Sequence, residues 1–142
     1  MATASEPALY LDSSAIVKLI VEEEHSDALV QTVAGRGLVS SELALAEVPR
    51  AIQRVTVGRR GELQRALRLG VEKVLSAMGL VPLDRRLLVH AGSFNVATLR
   101  TLDAIHIASA LAVVEDIEAF VSYDQRQVDF VQHAGLPVIQ PV

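Results

Sequence analysis

Four acidic residues stand at positions where an unpaired carboxylate would be costly. Asp12 in "ALYLDSSAIVKLI" directly follows a strand-like apolar run and precedes a helical pattern, and Asp124 follows a second such run in "FVSYD". Glu47 lies within an apolar helical stripe, and Asp103 lies in the first turn of a helix that is apolar nearly all round. Because burying an isolated ionised carboxylate is expensive, each position needs a hydrogen-bonding partner, a cation or a metal.

Each acid taken singly also has a structural interpretation. Asp12 and Asp124 are suitable N-caps for the helices that follow them, and Asp103 favours the positive end of its helix dipole. Glu47 is open to interpretation as a residue at the edge of its stripe or as a partner of Arg50. These alternatives stay open for as long as the acids are considered one at a time.

The elements that position the acids follow from the apolar pattern. Short runs rich in Val and Leu predict strands at residues 8–11, 37–40, 79–83, 119–122 and 137–139. Helical patterns occupy about 13–21, 25–34, 41–56, 61–78, 84–94, 101–114 and 124–134. Strands that alternate with helices predict an α/β fold, a three-layer α/β/α sandwich with a mainly parallel sheet of about five strands.

An α/β sheet of this kind binds ligands at the carboxyl ends of its strands. Asp12 and Asp124 therefore come to one rim, and we expect Glu47 and Asp103 to face the same rim. Crowded carboxylates repel one another, and their pKa values rise unless a cation neutralises them. Oxygen ligands without His or Cys favour Mg2+ or Mn2+, which also bind phosphate oxygens. Together the acids predict a metal site suited to phosphodiester hydrolysis.

A basic segment accompanies the acids, although the formal net charge of the chain is -4. Between residues 49 and 70 there is one acid, Glu62, and the arginines are Arg50, Arg54, Arg59, Arg60, Arg65 and Arg68. Local charge matters more than total charge when the partner is a polyanion. The segment is therefore either a phosphate-binding surface or a solvated helical hairpin. Candidate substrate contacts are Arg50, Arg59 and Arg60, together with Lys18 and Arg100 beside the first and third acids.

Composition excludes several other kinds of site. The chain has no cysteine, so disulfides, thiolate metal sites and cysteine nucleophiles are excluded. No apolar stretch approaches the roughly 18 to 20 residues of a membrane span, and the N-terminus lacks the pattern of a secretory signal. We expect a cytoplasmic protein without membrane contact, formed of a single domain over residues 1–142 in which residues 1–7 are a flexible tail.

Four segments taken together resemble the PIN-domain family, and specifically the VapC-type toxins of toxin-antitoxin pairs. The segments are "YLDSSAIVKL", "SELALAEVPRAI", "LRTLDAIHIASAL" and "FVSYDQRQ", in this order and spacing from about residue 8 to the C-terminus. The resemblance implies that Asp12, Glu47, Asp103 and Asp124 are catalytic and bind the metal. It implies an endoribonuclease that depends on Mg2+ or Mn2+ and is inhibited by an antitoxin whose tail occupies the acidic groove.

The resemblance also bears on neighbouring residues and on association. It implies that the hydroxyls of Ser14 and Ser122 orient the ligands or metal-bound water, with Ser122 standing where the family often has Thr. His106 lies three residues after Asp103, and we leave it outside the catalytic set as a histidine packed in an apolar helix. Family members are usually dimers, and the apolar stripe over about 61–78 is consistent with a homodimer. A non-catalytic PIN-like module that binds RNA or protein is the alternative.

Overall fold

A parallel sheet forms the centre of the computed structural model, which describes residues 6–59 and 61–142. Its strands are β1 (Ala8–Leu11), β2 (Leu38–Ser41), β3 (Gly79–Val81), β4 (Ile117–Val121) and β5 (Val138–Ile139). They lie in the order β3-β2-β1-β4-β5, and every pairing is parallel. Arg60 and most of the predicted N-terminal tail, residues 1–5, lie outside the described residues.

Helices connect the strands within the described residues. They are α1 (Ser13–Ile20), α2 (Ser26–Val33), α3 (Ala44–Val55), α4 (Glu62–Ser76), α5 (Arg85–Gly92), α6 (Thr101–Ala112) and α7 (Gln125–His133), with a 3-10 turn at Val114–Asp116. A membrane-crossing helix needs about 20 apolar residues, and in the part of the chain that the structure describes no helix combines that length with sufficient apolarity. The predicted element order and the predicted α/β fold are confirmed.

Small differences from the predicted boundaries have local causes. The third helix begins at Ala44 rather than near residue 41, because Ser41 continues β2 and the next two residues form a turn. The third strand ends at Val81 because Pro82, which follows it, has no N–H to donate to a neighbouring strand.

Side chains of β1 alternate between two apolar layers, as the strand pleat requires. Leu9 and Leu11 pack with buried residues of α1, α2, α3 and α4 on one face of the sheet. Tyr10 packs on the other face with residues of α6, α7 and β4, including Ile107 and Phe120. The sheet is therefore covered on both faces, which gives the three layers predicted from the sequence.

The chain changes direction across the sheet at β1, which lies between β2 and β4. Ligand sites in α/β folds lie beside such a switch, at the carboxyl ends of the strands. The Ser40 hydroxyl donates to the Leu11 carbonyl at 2.6 Å, and the Asp12 N–H donates to the Val121 carbonyl at 3.2 Å. These bonds fix the backbone where β1 passes into α1, at the first of the predicted acids.

Candidate active site

Asp12 is the buried centre of the site, with only 2% of its surface exposed. Its Oδ1 accepts hydrogen bonds from Ser14 Oγ at 2.7 Å and from the Ala15 N–H at 2.9 Å, and its Oδ2 accepts from Ser122 Oγ at 2.7 Å. Burial raises the pKa of Asp12, although the charge of His106 and these hydrogen bonds act in the opposite direction. The N-cap interpretation is confirmed, and the depth of the carboxylate makes it far costlier to ionise than a surface cap.

Glu47 projects from α3 toward the same rim and is held through one oxygen. Its Oε1 accepts from Ser13 Oγ and from His106 Nε2, each at 2.7 Å. Partial burial by itself raises the pKa of Glu47, but the bonds from His106 and Ser13 outweigh burial and hold the pKa below its ordinary value. The described residues pair Glu47 with His106 rather than with Arg50.

Asp124 is joined to Asp12 through a shared hydroxyl. The backbone N–H of Asp124 donates to Ser122 Oγ at 3.0 Å, while the same hydroxyl donates to Asp12. Asp124 is also the N-cap of α7, because its Oδ1 accepts from the Arg126 N–H at 2.9 Å. Ser122 therefore links the first and last acids through one hydroxyl, and its orienting role stays a prediction.

Asp103 lies in the first turn of α6 and is tied to α7. Its Oδ1 accepts from Gln127 Nε2 at 2.7 Å. Because an ionised carboxylate only accepts, the amide nitrogen of Gln127 faces Asp103 and the amide oxygen faces away. That oxygen, Oε1, is buried and has no hydrogen-bond partner within the described residues.

An open cleft of about 520 Å3 lies over part of this arrangement. The residues that line it include Glu47, Asp124, Ser13, Ser14 and Tyr123. Asp12 lies beneath the cleft, bonded to Ser14. Asp103 is not among the described residues that line it. The structure thus brings three of the predicted acids to one rim and attaches the fourth through α7.

The predicted cationic contacts are placed unequally around the cleft. Lys18 lines it, but its ammonium group lies 2.9 Å from the Glu24 carbonyl, 3.6 Å from the Glu23 carboxylate and 4.7 Å from the centre of the Tyr123 ring. Arg54 also lines the cleft. Other predicted contacts, Arg50, Arg59 and Arg100, are exposed outside it, and Arg60 lies outside the described residues.

Across residues 6–59 and 61–142, no group of three or more His, Asp or Glu side chains is arranged to enclose a metal ion. In that part of the chain, three of the acids accept hydrogen bonds through one carboxylate oxygen only: Glu47 through Oε1, Asp103 through Oδ1 and Asp124 through Oδ1. The other oxygen of each carboxylate accepts no hydrogen bond there. Mg2+ usually binds through one or two carboxylates and keeps several waters. The acids therefore fit an open, hydrated cation site rather than a closed cage.

Sequence reasoning passed over three residues that hold the acids in place. Ser13 and Gln127 were not among the predicted site residues, and His106 was set aside. The position of Gln127 could have identified it, because this polar residue shares the apolar face of α7 with Val131, four residues later. His106 could have been identified in the same way, because it is a polar residue within an apolar helix. Nothing in the sequence distinguishes Ser13 from Ser14, since both follow Asp12.

Comparisons with known proteins match almost the whole chain. The profile of the family described as PIN domain matches residues 9–132. The ribonuclease VapC46 of Mycobacterium tuberculosis is 42% identical over 135 residues, which cover 94% of this chain and 98% of the relative.

Solved structures share the fold at low sequence identity. VapC20 of Mycobacterium tuberculosis, a sarcin-ricin loop cleaving toxin, aligns with a TM-score of 0.69 at 16% identity, covering 94% of this chain and 100% of that one. VapBC2 from Rickettsia felis, bound to a DNA fragment from their promoter, aligns with a TM-score of 0.64 at 13% identity, covering 95% and 99%.

We predict that Asp12→Asn raises the thermal stability of the metal-free protein at pH 7. A raised pKa means that the folded state loses stability as the pH rises through that pKa, and the neutral amide removes this loss. Since about 1 kcal/mol corresponds to roughly 3 °C in a domain of this size, thermal unfolding in the presence of a chelator measures the gain. The difference should vanish below about pH 4, where an unfolded Asp is protonated.

Asp84→Asn is the matched control. Asp84 caps α5 with the same geometry, accepting from the Leu87 N–H at 2.8 Å, but it is exposed. Its replacement should not raise the unfolding temperature at pH 7, because Asn is as good an N-cap as Asp and this carboxylate is exposed. A lower unfolding temperature for Asp12→Asn than for wild type at pH 7 would contradict the argument.

Proposed function

The chain belongs to the PIN-domain family, and we propose that it is a metal-dependent endoribonuclease acting as the toxin of a toxin-antitoxin pair. The observation that carries the proposal is the open cleft lined by Glu47 and Asp124, with the buried Asp12 linked to it through Ser14 and Ser122. The similarity to a relative named as a ribonuclease spans nearly the full length of both chains. Cellular RNA as substrate implies action in the cytoplasm.

PIN-domain ribonucleases are generally dependent on divalent metals, and the residues of this site fit Mg2+ or Mn2+. The donors are carboxylate oxygens, the ligand type that hard cations select. We propose that Glu47 and Asp124 hold the ion from the walls of the cleft, with Asp12 beneath them and Asp103 approaching from α6. When bound, the ion supplies activation of water and neutralisation of the charge that develops on the phosphate.

The chain's own residues supply the remaining parts of the proposed chemistry. Glu47 is ionised at neutral pH because its pKa is lowered, so its free Oε2 is able to accept a hydrogen bond from water. Arg54 and Lys18 both line the cleft, but Lys18 is already close to Glu23, so we propose Arg54 as the contact that favours the approach of a phosphate. Ser122 keeps Asp12 and Asp124 at a fixed separation while substrate binds and leaves.

We propose a cognate antitoxin as the physiological partner. The likeness to VapBC2, which was solved bound to a DNA fragment from their promoter, supports a paired system. The acidic cleft offers a place for a tail of the antitoxin, as the resemblance implied. Occupation of this cleft would block the substrate and the carboxylates together.

Cleavage of RNA tests the proposed activity. The wild-type protein should cut RNA in the presence of Mg2+ and should stop on chelation, and Asp103→Asn should lower the rate by about a hundredfold or more through loss of a metal-directed carboxylate. Sequencing of new 5' ends after brief induced expression identifies the target. Asp116→Asn, at an exposed acid of the 3-10 turn, is the control and should cleave normally. Intact RNA with folded wild-type protein would favour the alternative of a non-catalytic binding module.

The salt dependence of RNA binding tests the basic segment. In an Asp103→Asn background, Arg54→Gln should reduce the slope of log affinity against log salt by about 0.7, the value for one phosphate contact with a single strand. Arg85→Gln, an exposed arginine at the start of α5, is the matched control and should leave the slope unchanged. An equal slope for the Asp103→Asn protein with and without Arg54→Gln would assign this arginine to the solvated surface of the hairpin.

We also propose a homodimer, supported by apolar side chains exposed on α3 and α4. Leu45, Val55, Leu63 and Leu69 are each at least 41% exposed. Light scattering at micromolar concentration should give twice the chain mass of 15.3 kDa. Val55→Asp should return the mass to that of one chain, whereas Val89→Asp on α5, which is 67% exposed, should not. A wild-type mass near 15.3 kDa would exclude the dimer.

A further inference from the structure

A chain of hydrogen-bonded side chains runs from the core to the cleft. Tyr10, fully buried on β1, places its Oη 2.9 Å from Nδ1 of His106 on α6. The opposite ring nitrogen, Nε2, lies 2.7 Å from Glu47 Oε1. His106 is itself only 2% exposed, whereas Glu47 reaches the cleft wall. Tyr10, His106 and Glu47 belong to three different elements. The series of hydrogen bonds that joins their side chains therefore crosses the packed layer between the sheet and the cleft.

The chemistry of the carboxylate fixes the direction of the hydrogen bond between His106 and Glu47. An ionised Glu47 only accepts, so Nε2 of His106 carries a proton and donates it. The other ring nitrogen, Nδ1, is hydrogen-bonded to the Tyr10 hydroxyl at 2.9 Å. Burial raises the pKa of Tyr10, so this hydroxyl remains protonated. Both ring nitrogens of His106 therefore have a hydrogen-bond partner in the packed interior.

Packing holds the imidazole in one orientation. The Tyr10 ring stacks on Phe120 with centroids 5.2 Å apart and meets the His106 ring edge-on at 6.1 Å. Rotation of the histidine would break the bond to Tyr10 and leave a hydroxyl unpaired in the core. Ser13 adds a second donor to the same Glu47 oxygen at 2.7 Å.

We propose that His106, held by Tyr10, is a positioning residue that locks Glu47 so that its Oε2 faces the cleft. Two donors occupy Oε1, so the carboxylate presents its remaining oxygen in a single orientation to a metal ion or to water. Without this lock Glu47 would lose rotamer freedom on binding the ion, and the affinity for the metal would fall. This inference rests on the proposed function, because it assigns a role to residues behind the proposed Glu47 ligand.

A double variant, Tyr10→Phe with His106→Leu, tests the lock and avoids an unpaired core hydroxyl. Mn2+ binding, measured by the electron paramagnetic resonance signal of free Mn2+, should weaken by about tenfold or more. RNA cleavage at limiting Mn2+ should fall in parallel and should recover partly at saturating Mn2+. His106→Gln, whose amide nitrogen is able to replace Nε2 as donor, should restore Mn2+ affinity to within a few-fold of wild type.

Thr56→Val is the matched control, because it removes a buried hydroxyl that bonds only carbonyls at the end of α3. It should leave Mn2+ affinity unchanged. Circular dichroism establishes that each variant is folded. A folded double variant with wild-type Mn2+ affinity would overturn the positioning role while the proposed function stands. Wild-type protein that neither binds Mn2+ nor cleaves RNA would overturn the proposed function and this inference with it.

Discussion

The carboxylate of Asp12, buried where the central strand ends, is the constraint on which the rest of the site depends. Its two oxygens are satisfied by the two turns that meet at this point, one from the start of α1 and one from the end of β4. Each bond lowers the cost of burying charge, yet the pKa of Asp12 remains raised because burial dominates. A cation that approaches the rim would therefore lower the pKa of Asp12 and favour its ionised form.

The other acids are arranged around this buried charge at graded depth. Glu47 is part-buried and kept ionised by donors from two elements, while Asp124 combines a capping role with a place on the cleft wall. Structural and functional interpretations of these residues are therefore compatible. A cap fixes where a carboxylate sits, and one free oxygen is enough for it to bind a ligand.

The fold was predictable from the sequence because each strand is a short apolar run bounded by a helix signal. Asp12, Asp124 and Glu47 could be singled out from the sequence, because the first two follow strands and Glu47 interrupts an apolar stripe, whereas their catalytic role stays a prediction. Periodicity indicates which face of a helix a residue occupies, but it does not indicate the partner across the interface. The bonds of His106 to Tyr10 and of Gln127 to Asp103 depend on how α6 and α7 pack, which only the folded chain determines.

The hydrogen bond by which Ser122 joins the first and last acids affects when the site is able to form during synthesis of the chain. Ser122 donates to a carboxylate that lies 110 residues earlier in the chain. At translation rates of about 5 to 20 residues per second, the ribosome completes this pair roughly 5 to 20 seconds after it makes Asp12. Until β4 is available to pair with β1, a nascent chain has the first acid but not the strand that holds it. Because the full set of hydrogen bonds around Asp12 requires β4, the site is completed late, near the end of synthesis of the polypeptide.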